Sequence, residues 1–210
     1  MYDLKVFSSD FETAKLQNKE RGNVTVDTGW EVYLKTKNTP LDFVIFGRHL
    51  RDDNGDLREQ KWEGERGITP KEMDNFKHPS SKGSANSLEG GSILSLVKGE
   101  WSVTYNDAWL CGAVHGLKEF HCASDLSPKN VFDEKFGLTV TGRELVGLHI
   151  AGFIRQQTIL KDGSRYVVFK SGVTANATQL TLAAYSSTVA ELNTEAKAEK
   201  FMNEKMALWN

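Results

Sequence analysis

Apolar and polar residues alternate in the first third of the chain, and this alternation predicts β-strands. The alternation runs from Val24 to Lys35 around turn residues at 27–29, which indicates a β-hairpin buried on one face. A second hairpin is predicted to start with the apolar strand 41–46 and to turn at Asn54-Gly55, since Asn-Gly suits the positive φ angles of a two-residue turn. Residues 1–77 are therefore expected to be rich in β-structure.

Capping residues predict two helices in the same half of the chain. Asp10 can cap a short helix over 11–19, and Thr69 can cap a helix that runs through Pro70 to Phe76. Residues 78–92 are rich in serine and glycine, which is typical of a flexible connection. We expect a single domain over residues 1–210, in which this connection separates the β-rich part from a mixed α+β part at 93–210.

Two central helices are predicted in the mixed part. A strand over 101–105 is expected to lead to a helix that Asp107 caps, that runs from Ala108 to His115 and that ends at Gly116. A strand is expected at 119–123. The capping box Thr141 to Glu144 then precedes apolar and small residues, which predicts a buried helix.

The last part of the chain predicts one more hairpin and a helical end. Strands at 154–160 and 165–169 flank an Asp162-Gly163 turn, and Thr194 can cap a final helix that reaches Trp209. The predicted fold class is α+β. Its mainly antiparallel sheet would come from the N-terminal hairpins and the Asp-Gly hairpin, packed with the two central helices and a C-terminal helix.

Composition and charge narrow the classes of function. The chain is 39% hydrophobic and 26% charged, as in soluble globular proteins. Its 26 Lys and Arg against 28 Asp and Glu give a net charge of -2, which supplies no field that would attract nucleic acid. The sequence offers no membrane span and no secretory signal at its first residues. We expect a cytoplasmic protein, or one exported without a Sec signal peptide.

Cys111 and three histidines are the candidate catalytic residues. Cys111 and His115 are four residues apart on the predicted helix, and a thiolate near a helix N-terminus and an imidazole is favoured as a nucleophile. His121 or His149 could supply the imidazole from a more distant element, as in most cysteine hydrolases. The alternative is that Cys111 packs as a small buried residue.

Both cysteines and two of the histidines are also candidate metal ligands. Cys111, His115, His121 and Cys122 have the side-chain types of a zinc site. The neighbours His121 and Cys122 would point to opposite faces of a strand, so we predict no metal and no cofactor. Whether Cys111 and Cys122 form a disulfide stays open, although two cysteines do not make a disulfide framework.

Two segments in the middle of the chain resemble segments of uncharacterised bacterial proteins. They are Asn-Asp-Ala-Trp-Leu at 106–110 and Val-Thr-Gly-Arg-Glu at 140–144. The resemblance implies no catalytic residue, but such proteins are often suspected to be effectors or cargo of secretion systems. We expect a protein that binds another macromolecule, with a protein as partner, and that serves as an effector or its accessory. The alternative is a cysteine-dependent hydrolase or transferase that uses Cys111 and a histidine.

Overall fold

A computed structural model describes residues 2–39, 42–46, 102–122, 126, 128–135, 137–159, 165–172 and 177–206. The predicted turns at Asn54-Gly55 and Asp162-Gly163, the helix predicted at 70–76 and the connection predicted at 78–92 lie outside these residues. The prediction of a single domain therefore stays a prediction.

The helices and strands are, in chain order, α1 Leu4–Gln17, α2 Val26–Lys37, β1 Phe43–Phe46, α3 Val103–His115, β2 Glu119–Cys122, α4 Pro128–Val131, β3 Phe132–Asp133, β4 Gly137–Leu138, α5 Val140–Ile150, β5 Phe153–Ile159, β6 Arg165–Ser171, a 3-10 turn at Ala177–Gln179, α6 Leu182–Glu191 and α7 Glu195–Met206. The α+β fold class is confirmed. In the described part of the chain no helix is both long and apolar enough to cross a membrane.

A four-stranded sheet with the order β1-β2-β6-β5 forms the centre of the fold. The predicted later hairpin is confirmed, because β5 and β6 pair antiparallel from Phe153 opposite Ser171 to Ile159 opposite Arg165. The predicted apolar strand at 41–46 is present as β1, but it pairs in parallel with β2, with Phe43 opposite Glu119. A parallel pair requires a long crossover connection, so this pairing was not visible in a local pattern.

The first predicted hairpin is wrong, since residues 26–37 form the helix α2. Thr25 caps this helix by accepting a hydrogen bond from the amide of Thr28. A few alternating apolar residues also fit one face of a helix. The buried residues of α2 are spaced three and four positions apart, which is the period of a helix. The buried residues of α2 are Gly29, Val32, Tyr33 and Thr36. The part of the chain up to residue 39 is consequently helical rather than rich in β-structure.

Three helices begin earlier than predicted. The strand predicted at 101–105 is wrong for its described residues, because α3 already begins at Val103. Each of these helices has two polar residues that could cap it. Only the residue that comes earlier in the chain has the extended backbone of a cap, and the later residue lies inside the helix. The observed caps are Asp3 for α1, Ser102 for α3 and Thr139 for α5, in place of the predicted Asp10, Asp107 and Thr141.

Helix α3 packs against one face of the sheet. Trp109 of α3 meets Phe120 of β2 edge-on, with ring centroids 6.0 Å apart, and both side chains are buried. Helices α3 and α5 are buried on almost every side, which confirms the buried helix that was predicted from the capping box Thr141 to Glu144. At the end of the chain α7 begins directly after Thr194, as predicted. The core therefore lies between this sheet face and the helical layer.

Candidate functional site

Cys111 lies in the middle of α3 and is 0% exposed. Burial raises the pKa of its thiol well above the ordinary value, and the negative charges of Asp107 and Asp10 raise it further. A cysteine nucleophile requires the opposite, a stabilised thiolate that a substrate can reach. The surroundings of Cys111 are those of a core residue. It and Cys122 are both buried, and neither is part of a disulfide.

His115 ends the helix α3 and has hydrogen bonds at both ring nitrogens. Its Nε2 lies 2.7 Å from the carbonyl oxygen of Leu180, and its Nδ1 lies 2.7 Å from the hydroxyl of Tyr33. Because a carbonyl only accepts, Nε2 carries the proton and Nδ1 accepts from the Tyr33 hydroxyl. This neutral tautomer leaves neither nitrogen available to take a proton from Cys111.

The surroundings of His115 also disfavour its charged form. Burial lowers the pKa of the imidazole, and the Lys37 ammonium lowers it further, while the hydrogen bond to Leu180 acts in the other direction. Burial raises the pKa of Tyr33 to about 12, and the nearby Cys111 would raise it further as a thiolate. Tyr33 therefore stays a hydroxyl donor, and the pair is uncharged near neutral pH.

His121 lies on β2 and points away from the core. Its ring stacks on Phe43 with centroids 4.8 Å apart, and its Nε2 lies 3.2 Å from Oε2 of Glu119. Lys170 on β6 approaches the other oxygen of Glu119 at 2.7 Å. Burial lowers the pKa of His121 despite the nearby carboxylate. As expected for neighbours in a strand, Cys122 lies on the core face, so His121 and the two cysteines are on different sides of the sheet.

His149 stands at the end of α5 and contacts a different part of the molecule. Its ring meets Phe201 of α7 edge-on, with centroids 5.1 Å apart. Burial and the charge of Lys205 lower its pKa. The three histidines therefore lie in three separate places, and none of them pairs with Cys111. The structure does not assemble the predicted cysteine and histidine residues into one site.

The four candidate metal ligands lie in different parts of the fold. Among the residues that the structure describes, no three or more His, Cys, Asp or Glu side chains form a group that could hold a metal ion. The possible ligands Cys111, His115, His121 and Cys122 are divided between the core, the Tyr33 contact and the outer sheet face.

A buried ion pair between α3 and α5 was not predicted. Asp107 is 0% exposed and Arg143 is 9% exposed. The guanidinium binds the carboxylate at two points, since Nη2 donates to Oδ2 and Nε donates to Oδ1 at 3.3 Å. Two-point binding of this kind is the arrangement that makes a buried charge pair stable.

The loop after α1 completes the hydrogen bonds of this ion pair. Asn18 accepts from Arg143 Nη2 and donates to Asp107 Oδ2, both at 2.9 Å. Glu20 in turn accepts from the backbone amide of Thr104 at 2.9 Å and from its hydroxyl at 3.1 Å. These side chains tie the end of α1 to the first turn of α3. The carboxylate of Asp107 is consequently occupied by structural contacts.

The same two helices meet through a second polar pair. Asn106 donates to Oε1 of Glu144 at 3.3 Å, and both side chains are buried. Asn106 and Asp107 come from the first resemblance segment, and Arg143 and Glu144 come from the second. The signal that could have revealed this pairing is the presence of charged residues inside nearly apolar helices, because such residues are seldom buried without a partner.

Two surface clefts lie apart from the predicted site residues. One has a volume of about 610 Å³ and lies beside β3 and the start of α7, where Asp133, Lys135 and Glu195 are among its lining residues. The other, of about 550 Å³, lies at the loop 20–24 next to Ser102 and Tyr105. Cys111, His115, His121 and His149 line neither cleft.

The residues with catalytic potential are thus engaged in packing and in hydrogen bonds within the fold. Comparison with known proteins adds no functional assignment. The chain matches no family model, and neither the search of curated proteins nor that of solved structures gave a match.

Proposed function

We propose that this protein acts by binding another macromolecule and not by cysteine catalysis. The observation that supports this choice is the position of Cys111, which is fully buried in the hydrophobic core. A nucleophile in this position would have to leave the core before it met a substrate. The role that fits Cys111 is that of a small packing residue.

The histidines support the same choice. A general base beside a cysteine needs a ring nitrogen directed at the thiol. Both ring nitrogens of His115 are engaged in hydrogen bonds with Tyr33 and Leu180. His121 lies on the face of the sheet that points away from the core. The proposal keeps a protein as the partner, since a net charge of -2 does not favour nucleic acid. A role as an exported effector, or as its accessory, rests on the resemblance of segments 106–110 and 140–144.

The alkylation rate of the Cys111 thiol distinguishes a binding protein from a cysteine-dependent enzyme. In a Cys122→Ala variant, Cys111 is the only thiol, and its alkylation by iodoacetamide can be followed between pH 6.5 and 9.5. We expect alkylation of the folded protein to be slower than that of the urea-unfolded protein by a factor on the order of 10² or more, because the core must open first. In the Cys111→Ala variant, the same experiment measures the alkylation rate of Cys122. Rapid alkylation of the folded protein near neutral pH would support a cysteine-dependent enzyme instead.

A cellular test uses Cys111→Ala together with Cys111→Val, which keeps more of the side-chain volume. If the protein acts by binding, either Cys111 variant that retains the wild-type melting transition should keep the cellular phenotype. Loss of the phenotype in such a stable variant contradicts the proposal.

A further inference from the structure

Trp30, Tyr33 and His115 form a row of rings that leads from the surface into the core. Trp30 and Tyr33 are three residues apart on α2, and their rings stack with centroids 5.0 Å apart and an angle of 15° between the planes. Trp30 is partly exposed, whereas Tyr33 is 0% exposed. A molecule in solution can therefore reach the indole ring of Trp30 but not the phenol ring of Tyr33.

The hydroxyl of Tyr33 lies against a proton acceptor. It donates to Nδ1 of His115 at 2.7 Å, and Nε2 of the same imidazole donates to the carbonyl oxygen of Leu180 at 2.7 Å. Because the bond to Leu180 fixes the neutral tautomer, the lone pair of Nδ1 faces the hydroxyl proton. This proton can pass from Tyr33 to His115 without a movement of either ring.

Transfer of this proton keeps both hydrogen bonds of His115. After the transfer Nδ1 donates to the oxygen of Tyr33, and Nε2 still donates to Leu180. If Tyr33 kept its proton, two hydrogens would face each other across this contact. A phenol that has lost an electron becomes a strong acid and releases its proton. The contact between Tyr33 and His115 therefore suits the coupled loss of one electron and one proton by Tyr33.

Two further rings contact Tyr33. Phe7 lies at a centroid distance of 5.4 Å, but a benzene ring is much harder to oxidise than an indole or a phenol. Tyr2 is edge-on to Tyr33 at 5.6 Å, and its hydroxyl donates to Asp10 at 3.0 Å. Tyr2 is thus a second phenol in the same surroundings with a different proton acceptor, and it provides a matched control.

We propose that Trp30, Tyr33 and His115 form a one-electron relay, through which a one-electron oxidant at the surface, such as a peroxyl radical, oxidises Tyr33 in the core. In the first step the oxidant gains one electron from Trp30, and the indole becomes a radical cation. In the second step Tyr33 gives one electron to the indole and its hydroxyl proton to Nδ1 of His115. The products are a neutral tyrosyl radical and an imidazolium, and Trp30 is restored.

The return of Tyr33 to its reduced form uses the same groups. A thiolate at the surface gives one electron back through Trp30 and becomes a thiyl radical. His115 then returns the proton to the oxygen of Tyr33. The relay does not depend on the proposed binding role, since its residues act on electrons and protons and not on a macromolecular partner.

Flash photolysis with a ruthenium(II) polypyridyl complex and an electron-accepting quencher tests the relay. The ruthenium(III) complex formed by the flash is the oxidant, and transient absorption distinguishes a tryptophan radical from a tyrosyl radical. We expect a tyrosyl signal in the wild-type protein. Most of this signal should be lost in Tyr33→Phe and kept in Tyr2→Phe. Trp30→Phe should slow the formation of the tyrosyl radical at least several-fold.

His115→Gln tests the role of the imidazole as the proton acceptor. The amide of glutamine is not basic at neutral pH, so tyrosyl formation should slow by a factor on the order of 10². The first step, the oxidation of Trp30, should keep its wild-type rate. This difference between the two steps separates the loss of the acceptor from a general loss of structure. Equal rates of tyrosyl formation in wild type and a folded His115→Gln variant contradict the relay.

Two lysines of α2 provide a matched pair that leaves the three rings intact. The Nζ of Lys37 lies 5.6 Å from the centre of the Tyr33 ring, and its charge opposes a second positive charge on His115. Lys37→Gln should therefore speed tyrosyl formation. Lys35→Gln removes a mostly exposed lysine and should leave the rate unchanged. Equal rates in the two lysine variants contradict the relay.

The tyrosine variants decide the matter if His115→Gln fails to fold. A tyrosyl signal of wild-type size in Tyr33→Phe would show that the radical forms elsewhere and would overturn the relay. Loss of the signal in Tyr2→Phe would do the same, because it would place the radical on the other phenol.

Discussion

Gly112 is the residue of α3 that allows α2 to pack closely against it. A Cβ atom at this position would lie 2.5 Å from the carbonyl oxygen of Tyr33 and 3.1 Å from Cβ of Thr36. A backbone atom cannot turn aside as the end of a flexible side chain can. The absence of a side chain at Gly112 therefore sets the distance between these two helices.

Replacement of Gly112 by alanine should destabilise the protein. Alanine favours a helix over glycine by about 1 kcal/mol, but forced separation of packed helices commonly costs about 1–3 kcal/mol. We expect a lower free energy of unfolding in urea denaturation. The control is Ser9→Ala at an exposed position of α1, which should change stability by about 0.5 kcal/mol or less. A Gly112→Ala variant as stable as wild type would show that α2 and α3 can separate without loss.

Cys111 shows how much residue type alone could say about the candidate site. A cysteine four residues before a histidine fits both a nucleophile and a small core residue. Its burial and the direction of its pKa shift depend on Asp107, Asp10 and the packing of α3. Only the fold supplies these surroundings, so the sequence could name Cys111 but could not choose its role.

At the scale of elements, the Asp107–Arg143 pair joins α3 to α5. Arg143→Met should lower the free energy of unfolding by about 3–5 kcal/mol, because it leaves the carboxylate of Asp107 buried without its cation. The double variant Asp107→Leu with Arg143→Met removes both charges and should be more stable than Arg143→Met alone. Urea denaturation of the single and double variants measures the coupling. Additive effects would mean that the two side chains do not stabilise each other.

Helix α2 shows why some elements could not be predicted. Its apolar positions satisfy a period of two over a few residues, and they also fall on one side of a helix. Contacts of Tyr33 with Phe7 and His115 lie on the helical face that is buried, and these partners are distant in sequence. For β5 and β6 the partners are neighbours in the chain, so the local pattern sufficed to predict the hairpin.

At the scale of the whole molecule, acid should destabilise the fold. Burial lowers the pKa of His115, His121 and His149 below the ordinary value of 6.5, so the unfolded chain binds more protons than the folded one as pH falls below 6.5. Each histidine contributes at most about 1.4 kcal/mol per pH unit. The pKa of Glu119 is also lowered, since Lys170 and His121 outweigh the effect of burial, and this contribution is lost only below 4.5.

Urea denaturation at pH 7.5, 6.5 and 5.5 checks this prediction. The free energy of unfolding should be lower at pH 5.5 than at pH 6.5. His149→Gln serves as a comparison, because it removes one of the three titrating histidines and should reduce the slope without abolishing it. A stability that is constant or rises between pH 6.5 and 5.5 would contradict the direction of the histidine pKa shifts.

The sequence by itself determined the α+β class, the β5–β6 hairpin and the approximate places of α3, α5 and α7. These features depend on residues within a few positions of one another, where turn residues, caps and apolar spacing act directly. The tertiary structure alone decided the helical state of α2, the parallel pairing of β1 with β2 and the roles of the candidate site residues. It also decided the partner of Asp107, which lies 36 residues away in the chain. A buried charge, a tautomer or a parallel strand depends on groups that only folding brings together, and no local pattern contains them.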